Sequence, residues 1–288
     1  MTTILEGLLQ NRLCNKMFGL FELCERAKIK NTDILEPIFG WKKPVLFTEI
    51  FDIEYFNDTM QEVKMIPRSL SSGYSIEDSG GTWIQAAATW KKYRDLNSIP
   101  IDSMYFQVLK SLKLNKKHEA KTSFIKNIDE LDAVHLRIEK DWERYLKNGP
   151  PQLNGQKAET NFLVETQTFI RMYKDFTGNR NILLSTGENH KDISDKFAKN
   201  EIKAVFYFDS SVEYEISAAI NFFLCSKCKN FIGITRSTFS NLVSLLRHIN
   251  GKDNSYIYNY GDRIHERVDI GLQQDPKLAV NKKIHVKV

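Results

Sequence analysis

The sequence predicts an α/β protein built on open parallel sheets, and three observations carry that expectation. Beyond residue 156, short apolar runs alternate with helical-period segments of about 8 to 15 residues, the pattern of right-handed βαβ crossovers. The chain also opens strand, glycine, helix. Between the halves lies Lys147-Asn-Gly-Pro-Pro-Gln-Leu-Asn-Gly155, a Pro/Gly-rich run with few apolar residues. The expected organisation is a first lobe over 1–147, a hinge at 148–155 and a second lobe over 156–288.

The elements follow in order. Thr2 to Leu5 reads as a short strand and Gly7 as the turn after it. From Leu8 to Ala27, Leu9, Leu13, Met17, Leu20, Phe21 and Cys24 recur at helical spacing. Ile34 to Phe39 and Val45 to Ile50 are short apolar runs bounded by Asn, Pro and Gly, consistent with strands or strand-like loops. The stretch from Arg68 to Ser79-Gly-Gly is turn-rich and expected to be an exposed loop. Helical patterns follow at Trp83 to Leu96, Ser103 to Leu112 and Thr122 to Leu131. Ala133-Val-His-Leu is a compact strand that delivers Arg137 at its C-terminal end.

After the hinge, strands are expected at Ile182 to Ser185, Ala204 to Phe208, Phe231 to Ile234 and Tyr256 to Tyr258. Helices are expected at Ala158 to Tyr173, Asp192 to Lys199, Glu213 to Ser226 and Phe239 to Ile249. This half is Rossmann-like. The tail from Asp275 to Val288 shows only a weak strand pattern.

Composition narrows the function classes. At 288 residues, 42% hydrophobic and 27% charged, the chain is an ordinary globular protein that buries a core without disulfides. A net charge of +5 is too diffuse for a nucleic-acid binder, so no nucleic-acid partner is expected, while a basic cleft for an anionic ligand fits within it. No apolar run reaches the roughly 18 residues of a membrane span. The N-terminus lacks a secretory pattern, and four cysteines then point to free thiols and a cytoplasmic setting. Cys225 and Cys228 form a CxxC, read as half a zinc site, a redox pair or two small apolar residues on a helix.

In open parallel sheets a ligand binds beyond the carboxyl ends of the strands, which singles out three places. The first is Gly7-Leu-Leu-Gln-Asn11-Arg12, where backbone N–H groups at a helix start suit an anion or a sugar, or form an ordinary βα turn. It lacks GxGxxG. The second is His135-Leu-Arg-Ile-Glu-Lys-Asp141-Trp142. His135 and Arg137, two apart on extended chain, project to one side. A guanidinium binds diphosphate bidentately, with Asp141 close enough in sequence to orient it; the alternative is an ion pair of Arg137 with Glu139 or Asp141. The third is Gly233-Ile-Thr-Arg-Ser237-Thr238-Phe239-Ser240, a strand end entering a helix, suited to phosphate binding, to capping or to both. No Asp-x-Asp occurs, so a metal-bridged diphosphate is not expected and no metal or other cofactor is assigned.

Together these segments resemble the GDP-fucose-dependent fucosyltransferase superfamily, especially the protein O-fucosyltransferases. Gly7 to Leu13 resembles that family's N-terminal glycine/asparagine turn, and Phe51-Asp-Ile-Glu-Tyr-Phe its following segment. His135-Leu-Arg-Ile-Glu-Lys-Asp-Trp142 is similar to its His-Leu-Arg motif. Glu215 to Cys225, Phe231-Ile-Gly233 and Ser237-Thr-Phe-Ser240 resemble its C-terminal donor motif.

The resemblance implies a GT-B fold, with two Rossmann-like lobes facing across a cleft, acceptor mainly on the first and nucleotide mainly on the second. It implies an inverting, metal-independent transfer from a nucleotide-sugar donor to a glycan or protein hydroxyl. Arg137 would bind the β-phosphate, His135 the nucleotide and Asn11 the transferred sugar or diphosphate. Ser237, Thr238 and Phe239 would hold phosphate and base. Glu6, Glu36, Asp52 and Asp141 are the carboxylates considered as general base.

Two departures qualify the donor. Asn221 stands where the family has a guanine-reading aspartate, and an amide cannot accept from both guanine donors. Thr186-Gly187-Glu188 replaces a strand-end aspartate. A uridine donor such as UDP-xylose is therefore the variant beside GDP-fucose, and a catalytically inactive nucleotide- or sugar-binding protein of the same fold is the alternative. The absent secretory signal suggests a bacterial-like or virus-like enzyme.

Overall fold

A computed structural model describes residues 2–9, 11–39, 43–81, 102–139, 163–187, 190–234, 237–259 and 262–267. The chain divides into two compact units, 1–124 with 209–223, and 125–208 with 224–288.

In the first unit, β1 (Thr2–Leu8), β2 (Asp33–Leu35), β3 (Met65–Ile66) and β4 (Tyr74–Gly81) form an all-parallel sheet in the order β3-β2-β1-β4. The helices are α1 (Leu13–Lys30), α2 (Phe47–Ile50), α3 (Ile53–Thr59), α4 (Met104–Ser111) and α5 (Lys116–Glu119). The apolar spacing of α1 buries Leu13, Met17, Leu20, Phe21 and Cys24, and the helix packs on β1, β2 and α4. Asn31, in the left-handed region at φ 50°, closes it, its N–H bonding back to the carbonyls of Ala27 and Lys28. Phe39, Phe47, Phe51 and Phe56 form a second apolar centre with ring centroids 4.9–6.3 Å apart, each such pair contributing about 0.5–1.5 kcal/mol beyond area burial.

In the second unit, β5 (Asp132–His135), α6 (Thr166–Phe176), β6 (Asn181–Ser185), α7 (His190–Ala198), β7 (Lys203–Val205), α8 (Tyr214–Lys227), β8 (Asn230–Gly233), α9 (Thr238–Ile249), β9 (Ser255–Ile257) and β10 (His265–Glu266) follow in sequence. Residues 214–223 of α8 are assigned to the first unit. The sheet order is β10-β9-β8-β5-β6-β7, with only the β9/β10 edge antiparallel. Val134, Leu136, Phe169, Tyr173, Ile182, Leu184, Phe197, Ile232 and Tyr258 lie in its core.

A fully buried cation braces this unit. Arg247, in the last turn of α9, donates to the carbonyls of Ser226, Cys228, Lys229 and Asn254 and to Ser255 Oγ, at 2.6–3.3 Å. Cys225 and Cys228 are buried free thiols pushed up in pKa by that burial, Cys228 to about 12. They are the small apolar residues of the third reading. Among the described residues no group of three His, Cys, Asp or Glu side chains is placed to hold a metal ion, and no helix is long and apolar enough to cross a membrane.

Several expectations are corrected. The Ser/Gly-rich run, expected as an exposed loop, forms a 3-10 turn over Arg68–Gly73 and then β4, whose parallel pairing with β1 supplies the backbone partners its composition does not advertise. Thr122 to Leu131 contains not a helix but 3-10 turns, Ala120–Thr122 and Ile128–Glu130, separated by Asn127 at φ 53°. Phe47–Ile50 is helical. The expected helix at 83–96, the hinge at 148–155 and the tail lie outside the described residues. The contacts place 125–139 with the second unit and 209–223 with the first, because β5 is hydrogen-bonded between β8 and β6.

Candidate functional site

Each sheet contains one point where successive strands run off in opposite directions, and such points open the crevice where α/β proteins bind ligands. In the second unit β5, β6 and β7 go one way and β8 and β9 the other. The point therefore lies between β5, which ends in His135, and β8, which ends in Gly233.

The strand pleat sends Val134 and Leu136 into the core and His135 and Arg137 to the other side. His135 is 6% exposed. Its Nδ1 lies 2.7 Å from Ser240 Oγ, and its ring centroid 4.6 Å from that of Phe239. Gly233 makes this possible: a Cβ there would stand 2.5 Å from Ser240 Oγ and 2.9 Å from its Cβ. Burial first, then the Arg137 and Arg267 cations, push the His135 pKa down to about 3. The imidazole is neutral at physiological pH.

Arg137 is held at its backbone. Tyr258 Oη accepts from Arg137 N at 3.0 Å and donates to His135 O at 3.3 Å, pinning the strand end. The guanidinium Nε lies 3.4 Å from Glu139 Oε2, with the side chain 26% exposed. The Glu139 ion pair weighed from sequence is thus present, and Glu139 Oε1 also accepts from Gly187 N at 2.8 Å. A Cβ on Gly187 would meet that oxygen at 2.9 Å, so a side chain there would displace the Glu139 carboxylate. Asp141 lies outside the described residues.

Ser237 caps α9, accepting from Ser240 N at 3.5 Å, so capping is one job of that turn. Thr238 and Phe239 begin the helix half-buried. Arg267 braces the same turn, donating to Asn241 Oδ1 at 2.7 Å and to Ile234 O at 2.5 Å. The second unit therefore brings together His135, Arg137, Ser237, Thr238 and Phe239.

Gly7, Asn11 and Asn221 belong to the first unit. Its switch point lies between β1 and β4. Gly7 sits inside β1, where the register with β4 shifts between Glu6 and Leu8, and not in a turn. Its missing Cβ admits Leu23 of α1, which a Cβ would meet at 3.0 Å. The turn conformation belongs instead to Asn11, at φ 67°. The start of α1 is already occupied by a carboxyl group: Leu13 N donates to Glu215 Oε2 at 3.0 Å. Arg12 lies over the Tyr214 ring, 4.4 Å from its centroid. Asn221 donates its amide to Ser217 O one turn back at 3.0 Å.

The geometry also sorts the carboxylates. Glu36 is buried and accepts from Thr48 N, Thr48 Oγ1 and Arg68 N. Asp52 caps α3 by accepting from Tyr55 N. Both are spent on the fold. Glu6, at the end of β1, pairs with Arg68 and keeps a half-exposed side chain.

Ser240, Tyr258, Glu139 and Arg267 were not singled out as site residues from sequence. Tyr258 ends an expected strand and was open to inspection by the strand-end rule; Arg267 carries no local signal.

Neither a protein-family model nor a curated protein matches the sequence. Solved structures do match in fold. The crystal structure of POFUT1 in complex with GDP superposes with a TM-score of 0.61 at 12% identity, over 89% of this chain and 98% of that one. The NodZ alpha-1,6-fucosyltransferase soaked with GDP-fucose gives 0.56 at 12%, over 85% and 92%. Fucosyltransferase NodZ from Bradyrhizobium gives 0.58 at 11%, over 91% and 97%. With its two parallel-dominated sheets, the chain has the GT-B fold of these fucosyltransferases.

Proposed function

We propose that the chain is a glycosyltransferase that moves a sugar from a nucleotide-sugar donor to a hydroxyl of a glycan or protein acceptor. The observation that carries this is the β5/β8 switch point, where a permanent cation, a neutral imidazole and the start of α9 converge. Such a set suits a diphosphate: Arg137 and the positive end of α9 neutralise charge that grows as the sugar departs.

In the proposed reaction the acceptor oxygen bonds to the anomeric carbon as the bond to the β-phosphate oxygen breaks. The electron pair leaves on the diphosphate and the configuration inverts. The acceptor proton passes to a carboxylate; with Glu36 and Asp52 engaged in the fold, Glu6, which pairs with Arg68, and Asp141 are the candidates proposed. Asn11 is assigned to the sugar or diphosphate, and Ser237, Thr238 and Phe239 to phosphate and base. No metal is assigned a role; the support is the missing Asp-x-Asp together with the cations at the strand ends. GDP-fucose is the first donor to test, supported by the GDP and GDP-fucose in the POFUT1 and NodZ structures. A UDP-sugar such as UDP-xylose is the second, supported by Asn221.

Thermal shift against GDP, UDP, GDP-fucose and UDP-xylose tests the reading. A nucleotide at about 100 times its dissociation constant stabilises by about 2.7 kcal/mol. A shift with one nucleotide class identifies the donor, and no shift with any refutes the proposal. Binding without sugar transfer to any acceptor would favour the inactive binding protein.

A further inference from the structure

The hydroxyl of Ser240 has one proton, and its surroundings decide where that proton goes. Ser240 Oγ already accepts from Ile234 N at 3.2 Å. Among the described residues its one hydrogen-bond acceptor within reach is His135 Nδ1, at 2.7 Å. If Nδ1 carried the imidazole proton, Ser240 would accept twice and leave its own proton buried without a partner, at about 1–3 kcal/mol. A doubly protonated ring is opposed by the charges around it. Arg137 flanks it on its own segment, with Glu139 turned to Arg137 and Gly187; Arg267 approaches from beyond β10; and α9 presents its positive end. Tyr258, from beyond β9, is a buried neutral phenol.

The geometry points to Ser240 as a positioning residue that locks His135 as the neutral tautomer protonated at Nε2, making Nε2–H a fixed donor to an oxygen of the nucleotide diphosphate. His135 Nε2 makes no hydrogen bond within the described protein, although the residue is more than nine-tenths buried. An N–H fixed at the strand end with no acceptor among the described residues can donate to a ligand oxygen in the crevice. Gly233 is the condition for the lock, since any side chain there occupies the space of the Ser240 hydroxyl. Arg267 is its brace, tying the β8 end to the first turn of α9 through Ile234 O and Asn241. Neutrality matters because a donor that never gains or loses its proton binds the ligand equally across physiological pH.

The ligand half of this inference rests on the nucleotide-sugar reading; the tautomer half does not. The test is 15N side-chain NMR of the full chain labelled at histidine, from pH 5 to 8, with GDP and UDP titrations on the same samples. His135 is assigned by the signal lost in His135→Gln. The expected spectrum has an unprotonated Nδ1 and a protonated Nε2 that do not titrate over this range, with the Nε2 proton shifting when nucleotide binds. Ser240→Ala should release the ring into a mixture of tautomers and weaken nucleotide binding about tenfold, whereas Ser244→Ala, which removes a hydroxyl bonded only to Ser240 O one turn on, should leave the His135 signals unchanged. A proton on Nδ1 in the parent protein, or His135 titrating between pH 5 and 8, overturns the lock. The expected tautomer without binding of either nucleotide supports the lock and refutes the nucleotide-sugar reading. Nucleotide binding that leaves the Nε2 proton unmoved overturns the donor role alone.

Discussion

Gly233→Ala is the sharpest perturbation of the site, because the added methyl has nowhere to go. Its Cβ would meet Ser240 Oγ at 2.5 Å, Ser240 Cβ at 2.9 Å and the Phe231 ring at 3.0 Å. The Ser240 Cβ is fixed to the helix backbone and cannot rotate away, so the first turn of α9 must move. Overpacking of this kind costs about 1–3 kcal/mol, and straining the buried His135–Ser240 hydrogen bond adds about 1 kcal/mol. The expected loss is about 2–4 kcal/mol, read as a lowered urea midpoint by circular dichroism, with weakened GDP or UDP binding. Gly178 supplies the control, since no atom lies within 4 Å of a Cβ built there; Gly178→Ala should stay within about 0.5 kcal/mol of the parent. Because the two closest contacts are both Ser240 atoms, Gly233→Ala with Ser240→Gly should be less destabilised than the sum of the single changes. A Gly233→Ala protein as stable as Gly178→Ala would refute the packing argument.

Arg137→Ala should abolish nucleotide-induced thermal stabilisation and sugar transfer while costing about 1–3 kcal/mol of stability, because it leaves the buried Glu139 carboxylate without its cation but with its Gly187 N–H; retained nucleotide binding would contradict the phosphate role. Arg247→Met removes the guanidinium from four backbone carbonyls and Ser255 Oγ; Lys229 O keeps Asn254 Nδ2 and Asn254 O keeps Phe231 N, while Ser226 O and Cys228 O lose a buried donor, so a loss of about 2–4 kcal/mol is expected, and an unchanged midpoint would show that the brace is dispensable. The depressed His135 pKa gives a pH dependence of definite sign. Unfolded chain takes up the imidazole proton near pH 6.5 and folded chain only near about 3, so stability falls as pH falls through that window. The slope assignable to His135 is about 1.4 kcal/mol per pH unit, and denaturant titrations of the parent against His135→Gln should differ by that slope.

Much of the second unit was legible because its signals are local. Each apolar run from Ile182 to Tyr258 marked by the alternation contains a strand, although the one expected over Ala204 to Phe208 stops at Val205, and each intervening helical pattern is a helix. Arg137 and His135 could be placed at a strand end and on one side from a period of two alone. Ser237 stood out for the same reason, as a hydroxyl where a strand turns into a helix.

What the sequence by itself determined was therefore the parallel α/β class, most element positions and the strand-end residues, since backbone periodicity and turn chemistry act over a few residues. Tertiary structure alone decided the rest. A Ser/Gly-rich run became β4 because β1 offered it a row of backbone partners; Gly7 entered a strand through that same pairing, its missing Cβ leaving space for Leu23; and β5 joined the second sheet by pairing with residues about 50 and 100 positions away. Glu215 reaches the start of α1 across 202 residues of sequence. The lock on His135 was equally hidden, because it joins a hydroxyl, a glycine and an arginine from three segments whose only relation is that they fold onto one strand end.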